Sequence, residues 1–199
     1  RPPRSTRKES SAASDVYKRQ DFNKMTENLK FSESNIELRK KNLTNFIDKG
    51  FPNKRIEDWK FSDLNQIISS NIENLSFYDD KTYEPKEQIS LINKFEHNKI
   101  IFINGAISKV DIKYEDDTKV LISNDLDLSN NTNEINPLVS LNHALASAYI
   151  GIIVKENYSL NKPLILYNIT TEGVNSTALN LRTDIKLEKN SSLKLITIF

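Results

Sequence analysis

The apolar residues of this 199-residue chain change period near residue 98, and that change bounds the fold more tightly than any composition figure. Upstream they recur at helical spacing. Ser32 and Ser34 offer N-caps for a helix reaching about residue 49, with Ile36, Leu43, Phe46 and Ile47 on one face and Gly50 where a terminating glycine belongs. A shorter helix is expected over 62–70, with Leu64, Ile67 and Ile68 at i, i+3, i+4. Pro85 suits the first turn of a third, carrying Ile89, Ile92 and Phe95.

Downstream the chain becomes a series of short β-rich runs. The expected strands are 99–103, 110–114 and 120–122, broken by Asn104-Gly105 and by the acidic turn Glu115-Asp116-Asp117. A polar loop over 126–136 leads into a helix over 138–148. Further strands follow at 150–154, 164–169, 178–187 and 193–199, with turns near Asn157, Gly173 and Asn190. Their lengths suit either an antiparallel sandwich or a β-solenoid, and periodicity alone does not choose between the two. The last run stops inside an apolar strand, an aggregation-prone edge for a finished domain, so the sequence reads as a fragment truncated on its C-terminal side.

Charge and composition exclude several classes. No stretch approaches the roughly 18 apolar residues that span a bilayer. There is no cysteine, which removes disulfides and thiolate chemistry and suits a cytoplasmic address. Residues 1–20 hold six basic and two acidic side chains, leaving 22 basic and 25 acidic for the remainder. The small positive balance is therefore a property of the tail, and nothing points to nucleic acid. Residues 1–24, without apolar periodicity, read as a non-native or disordered tail. The expected division continues as a helical domain over 25–98, a connecting region over 99–148, and the start of a β core over 149–199.

Residues 50–64 concentrate charge around the single tryptophan. Gly50 and Pro52 end one helix, Leu64 opens the next, and Arg55, Glu57, Asp58 and Lys60 crowd Trp59. Read locally, this is a structural corner with a packed indole and paired or solvated charges. The residue order also resembles the N-terminal signature of the SufD family of iron–sulfur cluster assembly proteins. That signature is roughly Gly-(Leu/Phe)-Pro, a basic spacer, then Arg-x-Glu-(Asp/Glu)-Trp-(Lys/Arg)-(Tyr/Phe)-(Ser/Thr)-x-Leu. A second stretch is similar to the SufB/SufD pattern: a Leu-Asn-x-Ala helix containing Asn142, a short strand ending in Val154, and a Leu-x-x-Pro-Leu-x-Leu strand containing Pro163.

The resemblance implies a mainly β chain with an N-terminal α-helical region and the first rungs of a right-handed parallel β-helix. It also implies a non-catalytic scaffold subunit of the SufBCD complex, partnered by a SufB-like paralogue and a SufC-like ATPase. The family's cluster-related and docking residues lie mostly downstream, so no catalytic, cofactor or metal residue is carried over; the iron–sulfur cluster is transient cargo of the whole complex. Two rivals are a carbohydrate-active β-solenoid enzyme, for which the strands offer only Asp184 and Glu188, and an unrelated β-rich interaction module.

Other candidates carry less. Asp125-x-Asp127-x-Ser129 opens like a calcium loop, but Asn130 stands where glycine is needed and Asn136 where the bidentate glutamate belongs. His143 reads as a helix histidine and His97 as a solvated turn residue.

Overall fold

A computed structural model describes residues 5–72, 75–79, 91–123 and 136–199, with side chains from residue 15 onward. These residues divide into two units that interleave along the chain.

The first unit is helical and draws on residues before 81, on 128–146 and on 175–180. Helix α1 runs from Ser5 to Leu29, across the tail boundary expected at residue 24. Its inward stripe is Lys18, Phe22 and Met25, at 6%, 2% and 0% exposure. A lysine at the first apolar position hides this helix from a periodicity count. Its stem is buried while its ammonium pairs with Asp15 at 2.8 Å and lies over the Phe46 and Phe51 rings. Helix α2 (Glu33–Lys49) starts at Ser32, whose Oγ accepts from the Asn35 N–H. It stops at Gly50, where φ is 70° and the N–H reaches the Phe46 carbonyl at 2.7 Å. Helix α3 covers Leu64–Asn71. Helix α4 (Pro137–Leu145) is capped by Asn136 and has Pro137 in its first turn. Phe22, Met25, Leu43, Phe46, Phe77, Leu141 and Leu145 form the core of this unit.

The second unit is built on two sheets. One has the order β2-β1-β5-β7 and the other β3-β4-β6, for β1 (Asn98–Ile103), β2 (Ala106–Asp111), β3 (Val120–Ser123), β4 (Ala148–Val154), β5 (Leu164–Ile169), β6 (Leu181–Leu187) and β7 (Leu195–Ile198). Asn104 and Gly105, at φ 49° and 79°, make the β1–β2 hairpin, so β2 begins earlier than the expected strand at 110. From β4 onward successive strands alternate between the sheets, and each pairs in parallel with the strand two further on: β4 with β6, β5 with β7. A fully antiparallel sandwich is thereby replaced by mixed sheets, antiparallel at β1–β2 and β3–β4 and parallel elsewhere. Ile100, Phe102, Leu164 and Leu166 of one sheet pack with Val120, Ile150 and Ile152 of the other.

The third helix expected near Pro85 is not found in its described part. Pro85 and Ile89 lie outside the described residues. Leu91 and Ile92 belong to a non-helical segment that covers Ile101, Ile165 and Tyr167 on the outer face of the first sheet. Packing onto that face overrides the helical spacing of Ile89, Ile92 and Phe95.

Candidate interaction surface

The corner over 50–64 is assembled from short-range bonds. After Gly50, Pro52 is buried and its carbonyl accepts weakly from the Asn65 N–H at 3.4 Å. Arg55 is exposed, with its N–H on Asn53 Oδ1 at 3.0 Å. Glu57, Asp58 and Trp59 form a single 3₁₀ turn, closed when the Trp59 N–H reaches the Ile56 carbonyl at 2.8 Å. Lys60 pairs with Glu57 at 3.1 Å on the surface, a contact worth little in water. Asp63 then caps α3 through the Gln66 N–H at 2.9 Å, which places Leu64 as the first helical residue.

This corner differs from a packed joint in one respect. Trp59 is only half-buried, and Phe61 beside it is 90% exposed. Ile56 and Ile67 are exposed as well. The corner therefore presents apolar side chains to solvent. At this corner Glu57 is tied to Lys60, and Asp63 to the helix end.

Asn142 lies in α4, where its carbonyl accepts the Ala146 N–H at 2.8 Å and so terminates the helix. Pro163 precedes β5 in the other unit, and its carbonyl accepts the Asn98 N–H at 2.8 Å, which starts the parallel β1–β5 ladder. Both sit at the junctions where helix or turn becomes strand.

Three features escaped the sequence reading. The first is Arg39, 1% exposed. Its Nη1 donates to the Ala144 and Ala146 carbonyls at 3.1 and 2.9 Å, its Nε to Asn35 Oδ1 at 2.6 Å, and its guanidinium lies 4.0 Å from the Phe31 ring centroid. A cation at these last carbonyls answers the negative end of α4.

The second is Glu115, read only as part of an acidic turn. It accepts the Asn161 and Lys162 N–H groups, the Asn98 amide and the Tyr158 hydroxyl, at 2.7–3.0 Å. Burial pushes its carboxyl up, but these four bonds outweigh that and leave it below the ordinary 4.5. Burial likewise raises the Tyr158 hydroxyl.

The third is a stack of turns. Asn157 and Asn190, at φ 58° and 56°, are joined side chain to side chain at 3.0 Å, and Ser159 and Ser192 at 2.7 Å. The signal was present as Asn-x-Ser-Leu at 157–160 and again at 190–193, an offset of 33 residues that the Ala148–Leu181 pairing repeats.

Asp184 is held by Arg182 at 2.9 Å and Glu188 by Lys155 at 3.1 Å, which lowers the Glu188 carboxyl. Among the described residues no group of three or more His, Asp or Glu could hold a metal ion, and no helix is long and apolar enough to cross a membrane. The Asp125–Ser129 stretch lies outside the described residues. No protein-family model matches the chain, and no curated protein matches it.

Proposed function

We propose that this chain is a SufD-like scaffold subunit of a cytoplasmic SufBCD-type iron–sulfur assembly complex, non-catalytic and acting through protein–protein surfaces. Its partners on this reading are a SufB-like paralogue and a SufC-like ATPase, with neither nucleic acid nor membrane involved. The cluster is cargo of the complex rather than a group resident in these residues.

The observation that carries the reading is the combination of two independent features in collinear order. A helical region bearing the Trp59 corner precedes strands that alternate between two sheets and pair in parallel at offsets of 33 residues for β4–β6 (Ala148 to Leu181) and 31 for β5–β7 (Leu164 to Leu195). We read the β4–β5 and β6–β7 pairs, with their stacked asparagine turns, as the first two rungs of a right-handed parallel β-helix. The carbohydrate-enzyme rival needs free carboxylates on one rung face, whereas Asp184 and Glu188 are each tied to a cation.

Co-expression of the full-length gene product with SufB and SufC homologues from the same source tests the proposal. A complex that survives size-exclusion chromatography is expected. Absence of binding to both partners overturns it.

A further inference from the structure

We propose that His97 is the latch of a pH-sensitive strap that covers the outer face of the first sheet. The strap is the segment from Leu91 to His97, and the apolar face beneath it is Ile101, Ile165 and Tyr167, flanked by Ile103, Ile169 and Ile198. His97 is not a solvated turn residue: it is 8% exposed, and Tyr167 is 3% exposed.

Besides the surface pair of Glu96 with Lys162, a chain of hydrogen bonds ties the strap to Tyr167, and its directions are set by chemistry. The Phe95 carbonyl can only accept, so the His97 Nδ1 lying 3.0 Å away carries a proton and donates. In a neutral imidazole Nε2 is then the acceptor, and the Tyr167 hydroxyl, 3.0 Å from it, donates. The same hydroxyl accepts the Ile92 N–H at 3.3 Å, which ties the far end of the strap. Every group is satisfied, but only with a neutral ring.

A second proton on the imidazole goes to Nε2. The phenol oxygen then faces two donors, and its own proton is left without an acceptor in a buried place. The charged groups around the ring are engaged elsewhere or exposed. Glu96 is held by Lys162 at 2.8 Å, Lys99 by Asp111 at 3.7 Å, Lys94 is exposed, and β7 contributes no titratable side chain. The strap is thus closed over a neutral ring and loosens as the ring takes up a proton, uncovering the isoleucines beneath.

Amide hydrogen exchange on the full chain, corrected for intrinsic rates, reads this directly. Protection of the Ile92 amide is expected to fall at least about fivefold between about pH 7.5 and about pH 5.5. In His97→Gln the acid response is expected to vanish. Unchanged wild-type protection, or a response that persists in His97→Gln, overturns the proposal. Should that variant fail to fold, nitrogen chemical shifts of the wild-type ring decide: the Nδ1–H tautomer at neutral pH is required, and the Nε2–H tautomer refutes the latch.

Discussion

The two units meet the same difficulty with opposite charges. Where α4 ends, backbone carbonyls lack partners, and in the helical unit Arg39 reaches from α2 to take two of them. Where the chain turns into β5, backbone N–H groups lack partners, and in the sheet unit Glu115 takes two of them from the turn before β3. Each charge is supported by neighbours, Arg39 by Asn35 and Phe31, Glu115 by Asn98 and Tyr158. The difference lies in titration. A guanidinium keeps its charge at any pH the fold meets, while a carboxylate loses it in acid. Acid sensitivity should therefore be concentrated in the sheet unit, where Glu96, Asp116 and Glu188 are also held below their ordinary values.

The sharpest way to break this comparison is Arg39→Ala. It strips two carbonyls of their donor and opens a cavity in a closed site, and it should cost about 3 kcal/mol by chemical denaturation. That loss should be the same at neutral and mildly acidic pH. A pH-dependent loss would mean the guanidinium acts through a titrating partner instead of the helix end. Glu115→Ala removes four acceptor contacts and leaves the buried Asn98 amide short of a partner, for about 2 kcal/mol.

Glu115 also sets the direction of the pH effect. Its carboxyl titrates lower in the folded chain than in the unfolded one, so its stabilisation is complete above the ordinary value of 4.5 and is lost as pH falls through the lower folded value. Melting temperature should drop through that acidic window in the wild type, and the drop should be smaller in Glu115→Gln. An identical drop in both would move the acid sensitivity to other carboxylates.

The smallest effect is expected at the corner. Because Trp59 is half-buried and outside every core cluster, Trp59→Ala should cost about 1 kcal/mol, well short of the roughly 3 kcal/mol of a fully buried aromatic. A loss near 3 would restore the corner as a packed joint. A negligible loss combined with impaired complex formation would assign the indole and Phe61 to a partner.

Much of the element order was legible before any coordinates. Ser32 and Gly50 bounded α2 because a cap and a positive-φ glycine act through a few neighbouring residues. Asn104-Gly105, Asn157 and Asn190 marked turns for the same local reason. What escaped was encoded by groups far apart in sequence. Lys18 lies in the apolar stripe of α1 only because Phe46 and Phe51 present their rings to it, and no local count of hydrophobic residues includes a lysine. Ile92 left its helical pattern because Tyr167 and His97 offered it a sheet face and a bond. The helix end at Gly50 and the restart near Leu64 were legible, but the exposure of Trp59 and Phe61 depends on which neighbours pack there.

The sequence by itself determined where α2 begins and ends and where the turns at Asn104-Gly105, Asn157 and Asn190 fall, since capping and glycine or asparagine conformation are decided within about a turn of the chain. It also contained the 33-residue offset, in the twice-written Asn-x-Ser-Leu. Only the tertiary structure decided that strands two apart pair in parallel, that Arg39 and Glu115 close the ends of distant elements, and that His97 is enclosed. Those outcomes depend on long-range packing and on which backbone groups are left without partners, and neither is visible in the order of residues.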